Sequence, residues 1–208
     1  LAGTGRLSFQ NLDQVRGMHS DDDPDPLTDP AIELRAHAGY DDRLPRDKVL
    51  ETGADVGLGF DGDGDRCGVV DNEGNEIFAD KVGVMLARDM SAIHKDAQFV
   101  VDVKSTGLFV TDPILQKQGA KTAYWKTGHS YMKRRTNEMG ALAGFEKSGH
   151  FFFNKPFGRG YDDGLVSAIA ICEMLDRASG KSMADLKDAL PKTWSSPTMS
   201  PHCADETK

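Results

Sequence analysis

The sequence predicts an α/β fold, with mixed sheets flanked by helices. Three observations predict it. Apolar runs of strand length alternate with helix-length patterns from residue 54 to residue 190. Polar, often glycine-containing loops follow several of the strand-like runs. Apolar residues are scarce in residues 1–55, so the core is expected from 56–190.

The elements are read in chain order. Residues 1–18 show no clear period, and residues 19–30 form an acidic loop broken by Pro24, Pro26 and Pro30. A short helix is expected at 46–53, with Pro45 near its start and Gly53 at its end. Residues 54–60 read as a buried strand that runs into an aspartate-rich loop at 61–66. A hairpin follows, with 67–71 and 76–78 flanking Asn72-Glu-Gly-Asn75. Asp80 is placed to cap a helix over 81–90 whose apolar face carries Val82, Met85, Leu86 and Met90. Strands are expected at 98–102, 121–125, 141–145 and 150–153. Helices are expected at 106–118 (kinked or restarted at Pro113), 130–139, 163–178 and 183–190. In the helix at 163–178, Leu165, Ile169, Cys172 and Met174 or Leu175 are expected to face inward. Ser182 and Asp185 have the spacing of a capping box for the last helix.

Composition narrows the function. The net charge of −8 argues against a general nucleic-acid surface. Basic residues that could still gather in a phosphate-binding cleft are Lys104, Lys126, Lys147, Lys155 and Arg159, while Lys133, Arg134 and Arg135 read better as a solvated helix face. No apolar run is long enough for a membrane span, and the N-terminus lacks a signal-peptide pattern. Cys67, Cys172 and Cys203 show no metal spacing and read as reduced, mostly buried thiols of a cytoplasmic protein.

The strongest motif is Asp61-Gly62-Asp63-Gly64-Asp65-Arg66. Three carboxylates at i, i+2 and i+4 can converge on one cation only in a tight loop, and Gly62 and Gly64 supply backbone freedom for it. Carboxylate oxygens suit Mg²⁺, Mn²⁺ or Ca²⁺ better than zinc. A calcium loop of the EF-hand type is excluded by Arg66 at its sixth position and Asn72 at its twelfth. Arg66 implies either that an anion joins the site or that the arginine orients a carboxylate. Three aspartates leave room around Mg²⁺ for a phosphate oxygen, which points to phosphoryl transfer.

Four further clusters sit at predicted strand ends. Glu146-Lys-Ser148-Gly-His150 offers groups that bind hydroxyls. Its close spacing argues against a Ser–His nucleophilic pair. Lys126-Thr-Gly128-His129 precedes a helix and could meet a phosphate or move a proton. Lys104 could face the same cleft from the loop after residue 102. Of Asp162 and Asp163, one is expected to cap the following helix and the other to enter the site.

DGDGDR at 61–66, KTGHSYMK at 126–133, EKSGH at 146–150 and YDDG at 161–164 occur in that order and resemble the α-D-phosphohexomutases, in particular the bacterial phosphomannomutase/phosphoglucomutase branch. The resemblance implies an isomerase that transfers phosphoryl groups between the 1- and 6-positions of mannose or glucose phosphates. In that family a phosphoserine and a bisphosphate intermediate carry the reaction in a four-domain enzyme. It implies Asp61, Asp63 and Asp65 as Mg²⁺ ligands, with Arg66, Lys104, His129 and His150 in catalytic roles. Lys126, Glu146, Ser148, His150 and Asp162 are then substrate-binding. Phe145 stands where a glycine is common and Lys81 where arginine is frequent. The family's phosphoserine loop and C-terminal phosphate-binding loop do not occur in these 208 residues. Residues 1–74 accordingly resemble the end of the second domain, 75–190 the third, and 191–208 a linker and the start of the fourth. On this reading the chain alone is inactive. Phosphoglucosamine mutase and a non-catalytic metal or sugar-phosphate module are the alternatives. An aspartate-nucleophile phosphatase is disfavoured, because it needs a threonine after its second aspartate.

Overall fold

The computed structural model describes residues 7–9 and 43–194. The acidic loop expected at 19–30, Cys203 and the tail from residue 195 lie outside the described residues.

The first sheet has the order β1-β2-β3-β4, formed by Leu7–Phe9, Val56–Phe60, Cys67–Asp71 and Glu76–Ile77. β1 and β2 are parallel, and the other two pairings are antiparallel. Helix α1, Arg43–Thr52, starts three residues before its expected position and ends at Gly53, whose φ is +65°. It lies tightly on β2. A Cβ built on Gly57 would stand 2.7 Å from Val49 Cγ2, so only glycine fits there. The expected hairpin is present. Asp71 Oδ1 accepts from the amides of Glu73 (3.0 Å) and Asn75 (2.9 Å), which closes the turn.

The second sheet has the order β6-β5-β7-β8, with β5 Gln98–Asp102, β6 Lys121–Trp125, β7 Ala143–Phe145 and β8 Phe151–Phe153. β5, β6 and β7 run parallel, and β8 returns antiparallel to β7. The sheets are therefore mixed and carry helices, as the sequence predicts. Helix α5, His129–Glu138, covers one face through Met132, which packs with Val100, Ala141 and Phe152. The other face presents Phe99, Val101 and Phe145 to helix α2, Ala79–Ile93, and to α6, Gly164–Arg177. This second core is continuous with Val56, Leu58 and Val69 of the first sheet.

The segment 106–118 restarts at Pro113 as expected, giving two short helices, α3 Leu108–Thr111 and α4 Pro113–Lys117, because Asp112 caps the second through the amides of Ile114 and Leu115. Two local expectations change. Asp80 does not cap α2. It lies one residue inside the helix and accepts a hydrogen bond from the Thr106 amide (2.9 Å). In α6, Leu165 and Ile169 are 51% and 52% exposed, while Gly164, Ser167, Ala168, Ile171 and Met174 are buried. The small residues let this helix approach the aspartate loop, and that close approach fixes which face turns inward. The last helix, α7 Met183–Asp188, has both bonds of the capping box between Ser182 and Asp185. Cys67 is buried, Cys172 is half-buried, and both are free. Among the described residues no helix is long and apolar enough to cross a membrane.

Candidate active site

The parallel strands β5, β6 and β7 all end on the same side of their sheet, and their C-terminal loops carry the polar clusters. This is where open α/β sheets bind ligands. Asp102, the last residue of β5, is 1% exposed and organises these loops. Its Oδ1 accepts from Ser105 Oγ (2.5 Å) and from the Lys147 amide (3.2 Å), and its Oδ2 accepts from Thr127 Oγ1 (3.0 Å). One carboxylate thus ties together the loops that hold Lys104, Lys126 and Glu146–His150. The Gly128 amide adds a further tie by donating to Glu146 Oε1 (2.5 Å).

The aspartate loop approaches from the first sheet. It leaves β2, turns at Gly64 with φ +75°, and re-enters at β3. Of its two glycines, only Gly64 has a positive φ. Ligand oxygens of Asp61, Asp63 and Asp65 lie within 4.8 Å of one another. Asp61 is buried and held by Arg66, whose amide donates to Oδ1 (3.2 Å) and whose Nε donates to Oδ2. Of the two roles open to Arg66, the structure therefore shows it orienting a carboxylate. Asp65 Oδ1 is buried and has no hydrogen-bond partner. Burial raises the Asp65 pKa, Asp61, Asp63 and Asp162 push it in the same direction, and His150 opposes them. An oxygen-only donor set with one orphaned buried acceptor fits a hard divalent cation, which would supply the missing positive charge.

The two loops meet. Arg66 and His150 form an isolated antiparallel bridge, and His150 Nε2 lies 3.5 Å from Asp65 Oδ2. The Gly164 amide donates to the Gly64 carbonyl (2.9 Å), which fastens the start of α6 to the aspartate loop. A Cβ on Gly164 would stand 2.6 Å from Gly64 O and 2.8 Å from Arg66 O.

On the loop between β7 and β8, Ser148 Oγ lies 2.9 Å from His150 Nδ1, and Glu146 Oε2 lies 3.4 Å from the same nitrogen. Ser148 and His150 therefore do meet, against the expectation from their spacing. Gly149, at φ +101°, turns the chain so that residues i and i+2 share a side. Glu146 is 2% exposed in its side chain and Oε1 is engaged by Gly128, so only Oε2 remains without a hydrogen-bond partner. His129 Nδ1 lies 3.8 Å from Asp162 Oδ2, and the His129 and His150 rings meet edge to face at 5.9 Å. Asp163 caps α6 through the amides of Leu165 (2.9 Å) and Val166 (3.1 Å), while Asp162 turns into the site.

The structure thus gathers Asp61, Asp63, Asp65, Arg66, His129, Glu146, Ser148, His150 and Asp162. Lys104 is exposed on the loop after β5. Lys126 is exposed with Nζ 3.8 Å from the centre of the Tyr131 ring, so it borders the cluster without joining it. Lys155 and Arg159 lie away from these loops. With Asn137, Gly140 and Asn154 they line a cavity of about 740 Å³ beyond the end of β8 opposite His150. Arg134 is solvated as expected, whereas Arg135 stacks on Trp125 at 4.5 Å. Phe145 packs against Phe109 and Phe151, which explains its bulk at a strand end. The sequence places Asp102 with Lys104 in a strand-end cluster but gives it no role of its own. The available signal was an acidic residue closing the apolar run Phe99-Val-Val, where a buried strand end needs an acceptor.

Comparison with known proteins gives a consistent picture. A family model described as phosphoglucomutase/phosphomannomutase, alpha/beta/alpha domain III, matches residues 78–194. The phosphomannomutase/phosphoglucomutase of Pseudomonas syringae pv. tomato is 40% identical over 161 residues, covering 77% of this chain and 34% of that protein. The Pseudomonas putida protein of the same name is 38% identical over the same length and coverage, 161 residues, 77% and 34%. A solved phosphoglucomutase/phosphomannomutase family protein from Burkholderia thailandensis superposes with a TM-score of 0.66 at 35% identity, over 76% of this chain and 34% of that one. The chain spans about a third of the length of the curated relatives it matches.

Proposed function

The chain belongs to the phosphoglucomutase/phosphomannomutase family of α-D-phosphohexomutases, and from that premise we propose that it is the metal-binding and sugar-recognising part of a phosphohexomutase. The whole enzyme would be an isomerase that moves a phosphoryl group between the 1- and 6-positions of glucose or mannose phosphate. The observation that carries this reading is the contact between two loops from two sheets. Asp65 of the three-carboxylate loop stands 3.5 Å from His150 of the sugar-type loop. A cation-binding group and hydroxyl-binding groups thus face one space.

In this reading residues 1–74 belong to the second family domain, residues 75–190 to the third and residues 191–208 to the linker and start of the fourth. Asp61, Asp63 and Asp65 would hold Mg²⁺, which would supply positive charge for phosphoryl transfer. Arg66 fixes the Asp61 carboxylate through its amide and Nε. The Ser148 hydroxyl donates to or accepts from sugar hydroxyls, the free oxygen of Glu146 accepts from them, and both lie against His150 Nδ1. His150 and His129, with Asp162 beside it, take or return a proton at the hydroxyl that gains or loses phosphate. Lys104 and Lys126, tied to neighbouring loops by Asp102, supply mobile positive charge for the non-transferring phosphate. The phosphoserine of the family's reaction would come from another domain of the whole protein.

The test uses the enzyme that contains this chain. Asp63→Asn, at the most exposed of the three carboxylates, should abolish turnover and weaken Mg²⁺ binding. Near-normal turnover at saturating glucose 1-phosphate would refute the assignment.

A further inference from the structure

Beside the aspartate loop lies a second set of metal-type donors. One ligand atom each from His129, His150 and Asp162 lies within 4.8 Å of the others. They come from three elements: the start of α5, the residue entering β8, and the loop before α6. We propose that these three residues form a second cation site that takes a borderline transition metal of the zinc class and shares no ligand with Asp61, Asp63 and Asp65.

Donor chemistry separates the two sites. Oxygen-only ligands suit Mg²⁺, whereas imidazole nitrogens suit Zn²⁺, Co²⁺, Ni²⁺ and Cu²⁺. Two histidines and one carboxylate, with a side open to solvent, match the three-ligand sets that bind zinc and leave a fourth position free. His129, half-exposed at 50% of its side chain, provides the way in.

A second observation is independent of the donor count. Asp162 Oδ2 is a buried oxygen with no hydrogen-bond partner, on a side chain that is nine-tenths buried, and it lies 3.8 Å from His129 Nδ1. An unpaired buried carboxylate oxygen is costly, and a cation between it and the imidazoles satisfies it. The His150 ring is already arranged as a ligand. Nδ1 faces Ser148 Oγ at 2.9 Å and the Glu146 carboxylate at 3.4 Å, the partnership that fixes the tautomer of metal-bound histidines. Nε2 then carries the lone pair, with Asp65 Oδ2 3.5 Å away. The surrounding charge favours a second cation too. Five carboxylates, of Asp61, Asp63, Asp65, Glu146 and Asp162, gather here, and the guanidinium within this cluster, that of Arg66, is already paired with Asp61 and Asp65.

Occupation would withdraw both imidazoles from protons and sugar phosphates. A transition metal bound here is therefore an inhibitor even when Mg²⁺ fills the aspartate loop. The binding claim itself stands apart from the mutase reading, because it needs only the three ligands.

The experiment titrates the 208-residue chain with Co²⁺ in excess Mg²⁺ and follows visible absorption together with the ring signals of His129 and His150. Expected is one equivalent of Co²⁺ with the intense bands of a low-coordinate imidazole site, and paramagnetic broadening of both rings. His129→Ala and Asp162→Asn should each weaken Co²⁺ binding by roughly tenfold or more and leave Mg²⁺ binding unchanged. Asp63→Asn should do the reverse. Co²⁺ binding that survives His129→Ala but disappears in Asp63→Asn would place the ion at the aspartate loop and overturn the proposal. So would absence of Co²⁺ binding in excess Mg²⁺, and either result leaves the aspartate-loop assignment standing.

Discussion

Replacing Asp102 tests whether one carboxylate sets the shape of three loops. In Asp102→Ala the Ser105 and Thr127 hydroxyls and the Lys147 amide lose their acceptor. The hydroxyls can rotate toward water, since Thr127 is only half-buried, but Ser105 is 8% exposed and the amide cannot turn. One or two orphaned donors at about 1–3 kcal/mol each, less the desolvation the carboxylate no longer suffers, give an expected loss of about 2–4 kcal/mol. Asp102→Asn keeps one accepting oxygen and should lose about 1 kcal/mol. Urea unfolding of the chain measures the totals. Amide exchange measures where they fall: residues 103–106, 126–128 and 146–149 should exchange faster in Asp102→Ala, beyond the global change seen in β5. A loss below roughly 0.5 kcal/mol, the range of a surface substitution, or a uniform rise in exchange, would refute the reasoning.

Three other predictions follow from contacts described above. Gly164→Ala should cost about 2 kcal/mol in thermal or urea unfolding and weaken Mn²⁺ binding, because its Cβ meets two backbone oxygens at 2.6 and 2.8 Å; unchanged stability and affinity together would contradict that contact. Burial pushes the Asp112 carboxyl up, but Arg88 and the amides of Leu115 and Ile114 more than reverse this and hold it below the usual carboxylate range. Its contribution is therefore full above the unfolded value of about pH 4 and is lost as pH falls through the lower folded value. Asp112→Asn should flatten the fall of stability below about pH 4, and urea midpoints measured from pH 2 to 6 will show whether it does. Burial also pushes the Cys67 thiol far up. A thiol reagent at pH 8 should thus leave Cys67 unmodified until the chain unfolds, as peptide mapping can determine; prompt labelling in the native state would contradict its burial.

Much of the fold is legible because short apolar runs and turn residues are local signals. Phe99-Val-Val, Ala143-Gly-Phe and Phe151-Phe-Phe form strands where the pattern places them. The inward face of α6 is not legible, because hydropathy favours Leu165 and Ile169 while packing favours Gly164 and Ala168. What decides between them is the aspartate loop, about a hundred residues earlier in the chain. The candidate site shows the same division. Each motif is visible in its own segment, and the resemblance orders them. The contacts between motifs, such as Asp65 with His150 and Asp102 with Thr127 and Lys147, depend on strand order, which no single segment contains.

The bond from the Gly164 amide to the Gly64 carbonyl has a practical meaning for modular engineering. A boundary drawn after residue 77, where the hairpin ends, looks natural in sequence. Yet β2 and β3 share one apolar core with β5, β7 and α6. Cutting at that boundary would strip the lid from this core and unfasten the start of α6. Anyone transplanting the half from residue 78 onward onto another scaffold would have to carry residues 56–71 along with it, as an inseparable part of the graft.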